Sequence, residues 1–473
     1  MKIKLISPSE QRKTNVFSSE MFKIQRLNFP LLAALTPPEH DVTIVDESFA
    51  PDNVDDDVDL VGITVMTDLA RRAYQVADSY RQRGVRMVLG GIHPTVVPNE
   101  ALHHADAVAV GEGEDVWGQI VADTARDQLQ KIYRAAKPAN LAGRPLPRRD
   151  LYPRLSYKSF TPVATGIETS RGCPYDCEFC SVKLIGNQYR SRPIAEVIDE
   201  IASLEKPDLF FVDDNMAMNR NAAKELFTEM AHVKCRWVGE GTVTLAEDID
   251  LVRKIKRSGC EALLLGFESV QKDVQATMAK TRKLKVDYAE AIRRFHSEGI
   301  AILGAFVFGF DHETKDVFDQ TFEFAITNRV DLAQLRCLTP YPGTRLYQRL
   351  FEEGRLLVPN WWLTDITQGS LLYRLKSMTP DEFIGGLERI SKEFYSLGSI
   401  VQRFFGVLPW KRSPLGWQLF TAANFAYRRR SINCNLAAVR AAQELYSVHP
   451  ACAHESRKEL QNSKVAAGNE WLK

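Results

Sequence analysis

The stretch "SRGCPYDCEFC" (170–180) holds three cysteines, Cys173, Cys177 and Cys180, spaced C-x3-C-x2-C. Cysteines that dense indicate metal, disulfide or redox chemistry. Their odd number matters. A structural zinc site wants four ligands, and Cys235 and Cys260, which could complete one, sit in no second paired motif. A disulfide would leave one thiol over. An iron–sulfur cube takes four ligands, usually thiolates. With three supplied, one iron stays open to a small molecule. The spacing by itself shows only an incomplete ligand set.

The segments around this loop suggest a barrel. Short apolar runs at 162–169, 208–213, 237–243, 261–268, 300–309 and 332–339 read as strands, with helical stretches such as 195–204 and 286–299 between them. Such βα repetition builds parallel sheet. Six units make most of a (β/α)8 barrel without closing it. The cysteines follow the first strand, at the face where barrels place chemistry.

The first 135 residues also alternate. Runs at 2–7, 41–46, 59–66, 85–91 and 105–113 read as buried strands, and 69–84 as a helix ending on Gly84. This predicts a Rossmann-like doubly wound sheet over 1–135. A Pro- and Arg-rich stretch follows, making 136–161 a linker. The barrel occupies 162–345. From 346 to 473 the pattern is helical, notably at 381–405 and 434–446. The expected fold class is therefore α/β, with a mostly helical C-terminal domain.

Composition narrows the function classes. The chain has 473 residues, 45% hydrophobic and 26% charged, with a net charge of +1. That length implies more than one core, and the charge balance gives no case for nucleic acid. The N-terminus shows no apolar signal region. The longest apolar run, 300–310, is too short for a bilayer span. The cysteines form no disulfide framework, so a reducing cytoplasm is expected. Three further features carry bland readings. The acidic run at 52–59 reads as a turn rather than a metal site. "NFAYRRRSIN" (424–433) reads as a solvated helix end, although aromatics beside arginines also suit contact with a membrane surface. Cys337 reads as a small buried hydrophobe, and Trp361 and Trp362 as a pocket wall or as packing in the helical domain.

The cysteine spacing, with Phe179 before the third cysteine, resembles the radical S-adenosylmethionine (SAM) family. The resemblance extends beyond the loop, through "VDDN" (212–215), "GEG" (239–241), "GFES" (266–269), "LGAFVFGF" (303–310) and "TPYPGT" (339–344). It implies a partial (β/α)6 barrel with a [4Fe–4S] cluster on Cys173, Cys177 and Cys180, whose open iron chelates SAM. Electron transfer then generates a 5'-deoxyadenosyl radical. On the same resemblance Asp213 and Asp214 meet the SAM amino end, and Glu240 and Glu268 the ribose. Gly304 and Gly309 let the fifth strand pass the adenine, and Phe179 also belongs to the SAM site. The usual GGE triplet is absent. No catalytic acid or base is assigned.

A Rossmann-like domain ahead of the barrel resembles the cobalamin-binding branch of that family. Thr64, Thr67, Gly90, Gly91, His93 and Gly111 lie at the strand ends where such a domain would hold the corrin. One departure stands out. The loop at 7–22 lacks the D-x-H-x-x-G histidine, and the first histidine is His40. A histidine ligand from that motif is thus excluded, and His93 reads as a loop or capping residue before a ligand.

The implied reaction is methylation of an unactivated carbon in a small molecule, lipid or natural product. The implied partner is an electron donor such as flavodoxin or ferredoxin. Ring formation or rearrangement without methyl transfer is an alternative within the branch, and a non-catalytic corrinoid or cluster sensor is one outside it. Methylthiolation of tRNA predicts cysteines in the N-terminal domain, and the first 172 residues have none.

Overall fold

The computed structural model describes residues 1–9, 23–152, 163–186, 188–205, 208–277, 287–366, 369–407, 413, 416–417 and 420–428. Two parallel sheets organise them. The first has six strands in the order Asp41–Asp46, Lys2–Ser7, Leu60–Thr64, Arg86–Gly90, Ala107–Val110 and Ile132–Arg134. The four central strands are buried on both faces, as sheets covered by helices require, whereas the edge strands Asp41–Asp46 and Ile132–Arg134 alternate. The helix Ala70–Gln82 buries Ala70, Ala73, Ala77 and Tyr80, one stripe at helical spacing. It ends before Gly84, whose φ of 79° supplies the left-handed turn expected of a glycine there.

Lys4 breaks the apolar pattern of the first strand yet is 1% exposed. Its ammonium reaches Asp52, Asp56, the Asn53 carbonyl and the Tyr80 hydroxyl. The acidic run is thus a turn folded over a buried lysine, which neutralises it from inside.

The second sheet runs Leu332–Cys337, Ala301–Phe308, Cys260–Glu268, Arg236–Gly241, Asp208–Phe211, Val163–Ile167 and Lys23–Gln25. Six of these are the expected barrel strands. The seventh was not foreseen. Lys23–Gln25 leaves the N-terminal segment and pairs in parallel with Val163–Ile167. A Cβ on Gly166 would stand 2.7 Å from the Gln25 carbonyl oxygen, so the pairing needs glycine there.

The helical region follows, packed on the barrel. The run at 381–405 forms two helices, Pro380–Phe394 and Leu397–Arg403, with Ser396 capping the second. Phe383, Leu387, Ile390 and Phe394 join the same hydrophobic cluster as the barrel strands. Arg403, fully buried, donates to the Val330, Asp331 and Phe394 carbonyls and to the Ser399 and Asn424 side chains. The described helices are therefore one body with the barrel. Residues 434–446 lie outside the described residues, as do 429–433 of the basic stretch.

Trp361 and Trp362 pack with the core of the first sheet and its helix Ala70–Gln82, including Ile63, Tyr74 and Leu89. Their indole N–H groups need acceptors once buried. Trp361 donates to the Pro340 carbonyl and Trp362 to the Glu100 carboxylate.

Candidate functional site

The cysteine loop is held from several sides. Ser170–Arg171 pairs antiparallel with Arg190–Ser191. A Cβ on Gly172 (φ 88°) would fall 2.4 Å from the Gln188 carbonyl, so only glycine fits this turn. On the far side, Leu346 N–H donates to the Glu178 carbonyl, and Arg349 bridges the carboxylates of Glu178 and Asp311. Burial would raise Asp311, but Arg355 and Arg349 bring it down to about 2. Cys173, Cys177 and Cys180 form no disulfide and are half-buried. Phe179 packs edge-on against Phe310. Together with Cys177 these rings border a cavity of about 620 Å³ on that side.

The two strand-end aspartates do different things. Asp213, 2% exposed, accepts from the Thr169 N–H and hydroxyl and from the Ser170 hydroxyl. Burial pushes it up to about 6 against those donors. Its oxygens are committed to the start of the cysteine loop. Asp214 accepts from Gly172 N–H and faces open space.

Glu240 lies opposite the helix-facing Trp237 and Gly239, on the inner face of the third strand. Burial first, then the charges of Asp214 and Glu268, push it up to about 7. Glu268 sits at φ 60° where the pairing with the fifth strand slips by a bulge, a device that re-aims a side chain. The three acids thus share one mouth. The unfolded value for Glu240 lies below the folded one, so the protein loses stability as pH rises from 4.5 to about 7, by up to about 3 kcal/mol. Glu240→Gln should remove that loss. Urea unfolding of the cofactor-free protein at pH 5 and pH 8 would show it as a flatter profile.

Two glycines expected at the SAM site sit in tight packing. Gly304 shares the helix-facing side with Ile302, Phe306 and Phe308, and a Cβ there would press on the Phe306 and Phe267 rings. At Gly309 (φ 110°) a Cβ would lie 2.4 Å from the Tyr373 hydroxyl, which donates to the Gly309 carbonyl. Sequence reasoning also missed Glu313, which caps this turn by accepting from Gly309 N–H, Phe310 N–H and the Ser269 hydroxyl. Its signal was an acid four residues beyond a strand-end glycine. Cys337 is buried, and burial raises its thiol.

Between the first sheet and the cysteine loop lies a cavity of about 450 Å³. Thr64, Gly90, Gly91 and Gly111 line it from one side, and Glu168, Arg171, Ile185 and Asp214 from the other. A Cβ on Gly91 (φ 99°) would crowd Thr64 Oγ1 and the Val65 backbone at 3.0 Å, whereas beside Gly111 there is nothing within 4 Å. Thr67 and His93 do not line it. His93 is fully buried, with Nε2 held 3.0 Å from Glu100 and its ring edge-on to Trp362. It braces the domain, and its Nδ1 is buried without a partner among the described residues. Across the cavity rim runs an ion network that sequence reading missed. Arg171 meets Glu112, Glu114 and Glu168, Arg190 meets Glu112, and Arg144 meets Glu114 and Glu168. Both halves were visible as "GEGE" and "SRGC", but nothing in the sequence pairs them across 57 residues.

Residues 167–325 match the radical SAM superfamily and residues 23–121 the B12 binding domain. The bacteriochlorophyllide d C-8(2)-methyltransferase of Chlorobaculum tepidum is 31% identical over 354 residues, covering 70% of this chain and 77% of that one. The chain belongs to the radical SAM superfamily. Its B12 binding domain places it in the cobalamin-binding branch. The bacteriochlorophyllide d C-12(1)-methyltransferase of the same organism is 28% identical over 435 residues, 90% of this chain and 92% of that one. Among solved structures, the radical SAM methyltransferase TsrM of Kitasatospora setae aligns over 94% of this chain and 99% of its own at 14% identity, with a TM-score of 0.65. The shared fold is thus a cobalamin-type domain, a radical SAM barrel and packed C-terminal helices.

This radical SAM enzyme takes a [4Fe–4S] cluster, SAM and cobalamin as cofactors. The residues present fit them. Three cysteines in one loop, none of them in a disulfide, suit a cluster with one open iron. The apolar cavity with glycines at Gly91 and Gly111 offers room for a bulky ring.

Proposed function

We propose that this enzyme transfers a methyl group to an unactivated carbon of a large, mostly apolar small molecule. The observation that carries the reading is one cavity bounded by both the cobalamin-type strand ends and the cysteine loop. Bound together, the three cofactors supply hydrogen-atom abstraction and a transferable methyl group.

The chain's own residues position that chemistry. Cys173, Cys177 and Cys180 hold the cluster, and Asp213 fixes the loop that presents them. Asp214 accepts from the SAM ammonium. Glu240 and Glu268 accept from ribose hydroxyls, with Glu240 able to keep or release its proton near neutral pH. Phe179 walls the SAM site. Thr64, Gly90, Gly91 and Gly111 cradle the corrin. Burial of this mouth between sheet and loop excludes water and protects a reactive substrate from side reactions. Two relatives methylate bacteriochlorophyllide d, and a hopanoid C-2 methylase of Rhodopseudomonas palustris is 25% identical over 351 residues. Both kinds of substrate are large and apolar, which supports that class here.

An electron donor such as a flavodoxin or ferredoxin completes the system. Among the described residues no helix is long and apolar enough to cross a membrane. An oxygen-labile cluster and cysteines outside any disulfide favour the cytoplasm.

The test is anaerobic reconstitution with hydroxocobalamin, then gel filtration and assay with methyl-labelled SAM and bacteriochlorophyllide d. Corrin should co-elute at about one per chain, and label should enter the substrate. No bound corrin would defeat the methyl-transfer reading. Substrate conversion without label would favour ring formation instead.

A further inference from the structure

Asn215 follows the two strand-end aspartates and is 2% exposed. Its amide nitrogen lies 3.4 Å from the Cys173 sulfur and 3.0 Å from the Met218 thioether. Its amide oxygen is buried and finds no partner among the described residues. A buried unmet acceptor is costly, so packing alone would favour an apolar side chain of this size. The position therefore uses the donors, and both sulfurs receive them. The orientation follows from chemistry, because a ligating thiolate and a thioether can only accept. The turn that delivers the amide is itself unusual. Ala217 has φ 62°, a region few non-glycine residues enter, and Met218 comes next.

We propose that Asn215 is a positioning residue that raises the reduction potential of the cluster by donating its amide N–H to the Cys173 sulfur. Hydrogen bonds to ligand sulfurs, with net charge and burial, set the potential of such clusters. The reduced cluster carries one more negative charge than the oxidised one. A donor at a sulfur stabilises that state more, and so eases electron uptake from the donor protein. Aspartate at this position would keep the shape, lose the N–H and add an acceptor. Leucine would lose the N–H and add nothing. Serine would keep a weaker donor.

The inference rests on the assignment of the cluster to the three cysteines, and the experiment separates the two. Wild type, Asn215→Asp, Asn215→Leu and Asn215→Ser are reconstituted anaerobically, assayed for iron, and titrated by electron paramagnetic resonance for the cluster midpoint. The expected result is a full iron complement with midpoints more negative than wild type, the Asp variant shifted furthest and the Ser variant least. An unchanged midpoint in an iron-loaded Asp or Leu variant would overturn the proposal and leave the cluster assignment intact. Loss of iron from both variants would also overturn it, in favour of a purely structural role. A wild-type protein that holds no cluster would instead defeat the assignment beneath it.

Discussion

Replacing Cys173, Cys177 and Cys180 together by alanine should abolish SAM cleavage. Wild type reconstituted with iron and sulfide should carry about four irons per chain, and the triple variant almost none. The variant should still fold, because the loop is fixed by groups other than its thiols. Asp213 and Asp214 hold its start, the ribbon with Arg190–Ser191 holds its first turn, and Leu346 holds Glu178 at its end. An unchanged far-ultraviolet spectrum with no 5'-deoxyadenosine formed would therefore report lost chemistry rather than lost structure. Cleavage at the wild-type rate would refute the assignment. So would wild type carrying two irons or fewer, since a cube cannot be built from them.

The barrel and the first sheet were readable because buried parallel strands are short apolar runs bounded by turns. The six barrel strands fell where the runs predicted, and their ends placed Asp214, Glu240 and Glu268 around one mouth. The same burial hid which way residues face. In Ala301–Phe308 both alternating sets are apolar, so parity could not show that Gly304 faces helices and not a ligand. Asp213 and Asp214 are adjacent and chemically identical. Only the positions of Thr169 and Ser170, 44 and 43 residues earlier, decide that one is a buried brace and the other a cavity group. His93 looked like a cofactor-loop histidine because its partners, Glu100 and Trp362, are visible only in three dimensions. Lys23–Gln25 is three residues long and shows no period at all. What the sequence lacked in each case was a long-range partner, and local pattern carries no information about those.

The ion network at the cavity rim supports the second large effect. Arg171 is 20% exposed and faces Glu112, Glu114 and Glu168, whose side chains are 2%, 14% and 9% exposed. Arg171→Ala should cost about 3–5 kcal/mol, because removing one partner leaves buried charge uncompensated. Arg144 and Arg190 remain, but Arg171 alone meets all three acids. Lysine should rescue little, since a point charge cannot fork between three carboxylates. The pH dependence distinguishes this from simple loss of packing. Burial by itself raises Glu112 and Glu114, and the arginines, Arg190 and Arg171 for the first and Arg171 for the second, more than reverse it. Both folded values thus lie below 4.5, so the stability they confer is present above that pH and is lost as pH falls through the folded values. Without Arg171, burial acts with less opposition and the two values should rise. The variant should then lose less stability than wild type as pH falls below 4.5, the window in which these two groups titrate. Denaturant unfolding across that range measures the difference. Because Arg171 ties the cysteine loop to the strand ends proposed to cradle the corrin, the variant should also release corrin during gel filtration. Retention of corrin with wild-type stability would mean that the two walls of the cavity are held by other contacts.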